Sequence, residues 1–144
     1  MLTENDVIDR VCRYLKDTGW HIVSRATTTQ TGYDIVATRQ GVSGVELRVE
    51  AKGGTSSKQT TARFGKPFTS SQVPVHVAQA LCTAIAMQAQ PTQHGVVRVA
   101  MAFPDTKGHR KHVGRIEQGL HRLGVGVFWV DETGEVTVDA PWDV

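Results

Sequence analysis

The segment from residue 45 to residue 52 alternates strictly between apolar and charged side chains. The apolar positions are Val45, Leu47, Val49 and Ala51, and the charged positions are Glu46, Arg48, Glu50 and Lys52. Because successive side chains of a β-strand point to opposite faces, this pattern predicts a strand with one face on a core and the other carrying charge. A chain with such a strand must build a sheet that is covered on at least one side.

A second strand pattern, from Tyr33 to Thr38, precedes the first and is separated from it by the turn-like residues 41–44. The two segments are predicted to form an antiparallel pair in which Asp34 lies near the end that adjoins Glu50. Lys52 lies on the same strand face as Glu50. Since Mg²⁺ prefers carboxylate oxygens and water, this convergence predicts a divalent-metal site. The lysine would position an attacking water, help to deprotonate it or neutralise charge in the transition state.

These residues resemble the motif of the PD-(D/E)XK nuclease superfamily, which includes restriction endonucleases, Holliday-junction resolvases and repair nucleases. The matching positions are Asp34, Glu50, Ala51 and Lys52. Tyr33 stands where the motif has Pro, and the Gly-x-Asp form found here is common in the Mrr-like and resolvase-like branches. The resemblance implies that Asp34 and Glu50 bind Mg²⁺, with Mn²⁺ as a substitute, that the Ala51 carbonyl adds a ligand and that Lys52 serves the water. The implied activity is metal-dependent endonucleolytic hydrolysis of DNA.

The family often adds an acidic residue from a first helix. In this chain the spacing of apolar residues predicts such a helix from Thr3 to Thr18. Its N-cap candidates are Thr3 and Asn5. Glu4 lies one turn above an apolar stripe that faces the sheet, so Glu4 is the preferred extra catalytic carboxylate. The weaker candidates are Asp6 and Asp9. The alternative is a purely structural role, because acidic residues in a first turn stabilise a helix through its macrodipole.

The order of elements predicts a restriction endonuclease-like α/β fold in one domain over residues 1–144. It has an αβββαβ core with a central mixed sheet flanked by helices, followed by a C-terminal helix and hairpin. The further predicted strands are 20–25, 96–103, 125–130 and 136–139, and the further helices are 73–88 and 107–123. The strand 96–103 is apolar almost throughout, which predicts a parallel strand buried on both faces.

Charge is distributed unevenly along the chain. Residues 51–115 carry nine Lys or Arg and one acid, whereas residues 116–144 carry six acids and one Arg. Such a basic region favours contacts with phosphates, which do not distinguish DNA from RNA. The candidate nucleic-acid contacts are Lys58, Arg63, Lys66, Gln72, Lys107, Arg110 and Lys111. For residues 107–115 a solvated helix face is the alternative. The long polar stretch 53–72 is predicted to close over the substrate.

No apolar run reaches the length of a membrane span and no signal peptide is evident, which predicts a cytoplasmic protein without a membrane partner. Cys12 and Cys82 are predicted to be buried thiols rather than a disulfide. His76, His94 and His121 lack metal-type spacing and are expected to be local structural histidines. A homodimer or a separate specificity subunit would complete recognition. The alternative functions are a catalytically silent nuclease-fold subunit for DNA binding or assembly, and an RNA-directed nuclease.

Overall fold

The computed structural model describes residues 1–26, 32–39, 44–55, 65–93 and 95–144. Its helices are α1 (Glu4–Asp17), α2 (Gln72–Ala89), α3 (Lys107–Gly114) and α4 (Glu117–Leu123). Its strands are β1 (His21–Arg25), β2 (Ile35–Arg39), β3 (Val45–Ala51), β4 (Val96–Pro104), β5 (Val125–Val130) and β6 (Val136–Asp139). The strands form one mixed sheet flanked by helices, which confirms the predicted α/β fold class.

The six strands lie in the sheet in the same order as in the chain. The pairs β1–β2 and β2–β3 are antiparallel, β3–β4 and β4–β5 are parallel, and β5–β6 is antiparallel. The predicted meander, the central parallel strand and the C-terminal hairpin are therefore confirmed. Strand β4 is buried on both faces, because Ala100 and Ala102 pack on the α1 side while Met101 and Phe103 pack on the α2 side.

Helix α1 begins where a complete capping box satisfies its first amides. The Thr3 hydroxyl accepts from the N–H of Asp6, and the Asp6 carboxylate accepts from the N–H of Thr3, so Thr3 rather than Asn5 is the N-cap. The predicted apolar stripe is fully buried against the sheet, including Ile8, Val11 and Leu15. Packing of this stripe on the sheet fixes the direction of α1 and hence the position of its first turn.

The single helix predicted from 107 to 123 is wrong, because the structure divides it into α3 and α4. The break follows Gly114, and glycine is the residue least suited to a helix interior after proline. It also allows Val113, Ile116 and Leu120 to reach the same apolar core on the α2 side of the sheet. The periodicity of the apolar residues continues through the break, which is why the sequence did not reveal it.

The charged face of β3 is not the solvated face that its sequence suggests, because Arg48 is only 4% exposed. Its guanidinium donates to the carbonyls of Met87, Gln90 and Pro91 at 2.5, 2.8 and 2.8 Å, and its Nε lies 2.5 Å from a carboxylate oxygen of Glu46. These carbonyls lie at the C-terminus of α2, where a cation is favoured. Arg48 therefore fastens α2 to the sheet.

The two cysteines differ in environment. Both are free thiols, as predicted. Cys12 is buried, also as predicted, whereas Cys82 is exposed, so the predicted burial of Cys82 is wrong. Cys82 lies on the outer side of α2, whose apolar composition suggested burial on all sides. Within the part of the chain that the structure describes, no helix combines the length and apolar character needed to cross a membrane.

Candidate metal centre

The sheet register brings Asp34 beside Glu50. Ile35 pairs with Val49, so the residue before β2 lies across from Glu50 near the end of β3. A carboxylate oxygen of Asp34 accepts from the N–H of Ala51 at 2.8 Å, which fixes the side chain over the strand end. The predicted neighbourhood of the two acids is thus present in the structure, whereas a ligand role for the Ala51 carbonyl stays a prediction.

Lys52 follows directly on the end of β3. Its backbone N–H donates to the carbonyl of Ala102 at 3.0 Å, so the sheet ladder holds its backbone. Its ammonium lies 3.4 Å from a carboxylate oxygen of Glu50, and the two side chains are 20% and 13% exposed. The Lys52 ammonium is largely buried and close to Glu50. At this position its positive charge would stabilise negative charge on an anionic substrate.

Glu4 reaches the same place from α1. The start of this helix lies against Gly53, where an added Cβ would stand 2.4 Å from the backbone nitrogen of Glu4. The N–H of Gly54 donates to the carbonyl of Leu2 at 2.8 Å. Since only glycine permits this approach at position 53, Gly53 directly after Lys52 is part of what brings the start of α1 close to the end of β3.

The carboxyl groups of this site carry more buried negative charge than Lys52 offsets. Burial first, and then the Asp34 carboxylate, raise the pKa of Glu50 to about 7, while Lys52 acts in the opposite direction. Burial also raises the pKa of Asp34, whereas its hydrogen bonds from the Ala51 N–H and with Glu50 lower this pKa. For Glu4, burial and then Asp34 raise the pKa. Grouped carboxylates with such pKa values are typical of functional sites.

This donor set fits a hard divalent cation. These carboxyl groups supply only oxygen ligands. A double positive charge would offset the burial that raises the pKa of each of them, and also the repulsion from Asp34 that raises the pKa of Glu50 and Glu4 further. Asp34 and Glu50 would hold the ion directly, and the Glu4 carboxyl is near enough to both Asp34 and Lys52 for their charges to change its pKa. Mg²⁺ and Mn²⁺ are the ions that such oxygen sites favour.

One histidine near this centre, His76, was not singled out as functional by the sequence. His76 is half-buried on α2, and burial and then the Lys52 ammonium lower its pKa. Its ring packs edge-on against Phe68 with centroids 4.4 Å apart, and its Nδ1 has no hydrogen-bond partner among the described residues. Only the fold shows that this histidine approaches Lys52, because 24 residues of chain separate the two. His94 lies outside the described residues.

A second group of potential metal ligands lies at the opposite end of the sheet. Ligand atoms of Glu117, His121 and Asp139 lie within 4.8 Å of one another, and His121 Nε2 is 3.1 Å from Asp139 Oδ1. The spacing in sequence did not predict this group, because Asp139 comes from β6 and the other two from α4. The side chains of His121 and Asp139 are 44% and 42% exposed, and their contact is a surface ion pair when the imidazole is protonated.

The candidate phosphate contacts differ in exposure and in their partners within the protein. Lys66, Lys107 and Lys111 are exposed. Arg110 forms a bidentate pair with Asp105 at 2.7 and 2.8 Å, and its guanidinium lies 4.1 Å from the centre of the Trp129 ring. Its donors are thus largely engaged within the protein. Its role toward phosphate, like that of the lysines, stays a prediction.

The remaining candidates concern the stretch before α2. Gln72 is the first residue of α2, one position earlier than predicted, and its side-chain oxygen accepts from the N–H of Thr69 at 2.8 Å. This contact shapes the turn before the helix. Lys58 and Arg63 lie outside the described residues, and so does the central part of the stretch predicted to close over the substrate.

An α/β fold with this mixed sheet recurs in known structures. No protein-family model and no curated protein matches the sequence. Among solved structures, an fdxN element excision controlling factor protein from Anabaena variabilis is 20% identical, with a TM-score of 0.55, and the match covers 96% of this chain and 99% of that chain. An XisH family protein from Nostoc punctiforme is 17% identical, with a TM-score of 0.52, and the match covers 94% and 98%. These likenesses establish the shared fold.

Proposed function

We propose that this protein is a metal-dependent nuclease of the PD-(D/E)XK type that hydrolyses phosphodiester bonds in DNA. The observation that carries the proposal is the convergence of Asp34, Glu50 and Lys52 at one end of β3, with Glu4 arriving from α1. The donation from Ala51 to Asp34 at 2.8 Å and the approach of Lys52 to Glu50 at 3.4 Å define the geometry. Grouped, largely buried carboxylates are costly when one ammonium offsets only part of their charge, so their retention in one cluster favours a functional role.

The roles follow from the chemistry of each group. Asp34 and Glu50 would hold the cation, which when bound would supply Lewis-acid polarisation of the scissile phosphate and a lowered pKa of a water molecule. Lys52 orients the attacking water through its ammonium and offsets the negative charge that develops on the phosphoryl oxygens. Glu4 accepts a hydrogen bond from water at the rim of the site and helps to orient it. The buried position of the carboxylates limits competing water around the reacting phosphate.

DNA is the favoured polymer because of two supporting observations. Residues 51–115, which contain the site, carry nine basic residues against one acid. In addition, one protein of similar fold is named as a factor that controls excision of an element. Phosphate contacts alone would suit RNA equally, so RNA belongs in the test of substrate class.

A second candidate function is that of a silent nuclease-fold subunit that binds or assembles. The outer side of α2 favours this second function. The helix contains no Asp, Glu, Lys or Arg, and it exposes Val75, Cys82 and Ile85. An exposed apolar helix surface is typical of contact with another protein chain. Both candidates are compatible with a cytoplasmic protein that acts as a homodimer or with a specificity subunit.

The experiment that tests the proposal is cleavage of supercoiled plasmid, single-stranded DNA, a branched DNA junction and a matched RNA in Mg²⁺ or Mn²⁺. The wild type is compared with Asp34→Ala and Lys52→Ala, and Lys16→Ala is the matched control because Lys16 is an exposed lysine on α1. We expect cleavage by the wild type and the control, and at least about a hundredfold loss in the two site variants.

The outcomes separate the candidates. Equal cleavage by the wild type and both site variants would place the chemistry elsewhere and overturn the proposal. If the folded wild type binds the cation and DNA but cleaves no substrate, the silent subunit becomes the better account. Preference for RNA would change the substrate and leave the site intact.

A further inference from the structure

A cavity of about 390 Å³ opens between the beginning of α3 and the segment that precedes α2. Gly54 lines it, only two residues after Lys52, and Met1, next to the start of α1, lines it as well. The cavity therefore adjoins the candidate metal centre. Among the described residues that line it, none has a carboxylate side chain. Its size is within the range of small-molecule sites and is sufficient for one nucleotide.

One residue that lines the cavity has a buried polar atom without a described partner. The hydroxyl of Thr106 accepts from the backbone N–H of His109 at 3.1 Å and lies 2.6 Å from the Nδ1 of the same histidine. In the tautomer in which Nδ1 accepts from this hydroxyl, the imidazole proton resides on Nε2. His109 is 2% exposed, and Nε2 has no partner among the described residues. A ligand group that reached Nε2 would supply the missing hydrogen bond.

The part of the lining around His109 is positively polarised. Thr106 caps α3, and Thr106, Lys107 and Gly108 at the beginning of this eight-residue helix line the cavity. Lys107 and Lys111 lie one helical turn apart and both line the cavity. Neither forms an ion pair with a described residue. A helix start, two ammonium groups without an ion pair to any described residue and a buried imidazole together favour a phosphate group.

Another part of the lining is apolar. It contains Phe68, Val73 and Pro67, and the backbone N–H of Phe68 donates to the carbonyl of Gly54 at 3.0 Å, which ties this part to the chain just after β3. An aromatic ring and aliphatic side chains offer a surface on which a nucleobase can stack or pack. A cavity whose lining has one apolar and one basic part matches the two ends of a nucleotide.

We propose that this cavity binds one nucleotide of the substrate strand, with its phosphate at the start of α3 beside Lys107 and Lys111 and its base against Phe68. The inference rests on the proposed nuclease function and narrows its substrate. A nucleotide inside the cavity is out of the base stack, so the strand must be single or unpaired beside the cleaved bond. Single-stranded, frayed or branched DNA would then be cleaved in preference to intact duplex.

The test is an NMR titration of the full chain with thymidine 5′-monophosphate in EDTA, which needs no catalysis. Thymidine and inorganic phosphate are the comparison probes. We expect the monophosphate to shift the amide signals of Phe68 and Gly108 and to bind at least about tenfold more tightly than either fragment. The double variant Lys107→Ala/Lys111→Ala should weaken binding by about tenfold or more, and Lys16→Ala/Arg122→Ala should not.

A second variant separates the cavity from general surface charge. Ser70→Trp keeps both lysines and fills the mouth of the cavity, which Ser70 lines, so it should abolish binding. Unchanged binding in this variant or in the lysine double variant would overturn the inference, and so would equal affinity for inorganic phosphate and the nucleotide. If the nucleotide does not bind while the wild type cleaves DNA, only this inference fails. If it binds and no nucleic acid is cleaved, the nuclease proposal fails and the nucleotide site stands.

Discussion

At the scale of single residues, the protein places three carboxyl groups where burial opposes their ionisation. The sequence identified Asp34, Glu50 and Lys52 because strand alternation and a short spacing are local properties. It could not show the raised pKa of Glu50, since that depends on burial beneath α2 and on the approach of Asp34 across the sheet. Likewise, the preference for Glu4 over Asp6 and Asp9 is explained only by contacts: Asp6 belongs to the capping box, and Asp9 pairs with Arg25.

The raised pKa of Glu50 predicts a characteristic pH dependence of stability. A carboxyl whose folded pKa lies above its unfolded value binds more protons in the folded state, so in EDTA its contribution to stability falls as the pH rises from about 4.5 to about 7. Glu50→Gln removes this loss. The variant should be more stable than the wild type at pH 7.5 by on the order of 2 kcal/mol and should differ little near pH 4.5.

Urea unfolding at several pH values measures this difference directly. Because His76 and His109 titrate in both proteins, the comparison of variant with wild type cancels their contribution. A difference between the two proteins that stays constant from pH 4.5 to 7.5 would show that Glu50 ionises normally. Excess Mg²⁺ should reverse the order at pH 7.5, since only the wild type retains the carboxylate.

Gly53 is a position where a single methyl group should displace a site residue. An added Cβ would stand 2.4 Å from the backbone nitrogen of Glu4, so Gly53→Ala should push back the start of α1. We expect a loss of about 1–3 kcal/mol in the free energy of unfolding together with reduced cleavage. Gly114→Ala is the matched control, because a Cβ there meets nothing within 4 Å and alanine favours a helix. Equal stability of the two variants in chemical denaturation would contradict the described contact.

At the scale of elements, the sequence predicted α1, the meander β1–β3, the buried strand β4 and the final hairpin within one or two residues. Those elements have strong periodicity and clear end signals, such as Thr3 before α1 and Gly134 in the hairpin turn. The division between α3 and α4 was not predictable from apolar spacing. Nor was the burial of Arg48, because an arginine in an alternating strand has no local signal that a helix end will cover it.

Arg48 should therefore be a major determinant of how α2 is held. Arg48→Met keeps much of the side-chain volume and removes the donors to three carbonyls and the pairing with Glu46. Since three carbonyls at the end of α2 lose a buried charged donor, we expect destabilisation of about 3–5 kcal/mol. Thermal and urea unfolding measure it. Arg98→Met is the comparison, because the described contacts of Arg98 are an exposed hydrogen bond to a backbone carbonyl and a position 5.5 Å from the centre of the Trp142 ring, so its loss should cost far less.

At the scale of the whole molecule, the near-neutral composition conceals a basic central region and an acidic C-terminal region. The candidate metal centre and the cavity beside it both lie at the ends of β3 and β4, where chain segments of the basic region meet. Overall topology and this charge distribution were predictable from sequence. The cavity was not, because its walls come from the N-terminus, the segment before α2 and the start of α3.

If the basic region contacts phosphates, binding of DNA should weaken steeply with salt. The triple variant Lys58→Ala/Arg63→Ala/Lys66→Ala should lower the slope of log affinity against log salt concentration by about 2 to 3, because each lost phosphate contact releases roughly one fewer counterion. Fluorescence anisotropy in EDTA provides the measurement. The control Arg13→Ala/Lys16→Ala/Arg122→Ala removes the same charge elsewhere, and an equal change in both variants would argue for net charge alone.

The central claim is that Asp34 and Glu50 hold a divalent cation, and calorimetric titration of Mn²⁺ tests it most directly. Asp34→Asn retains an acceptor for the Ala51 N–H and removes the charge, whereas Glu117→Gln removes a carboxylate from the separate group of Glu117, His121 and Asp139. We predict that Asp34→Asn weakens binding at least about tenfold and that Glu117→Gln leaves it unchanged. Unchanged binding in Asp34→Asn, or its loss in Glu117→Gln, would contradict the assignment of the metal centre.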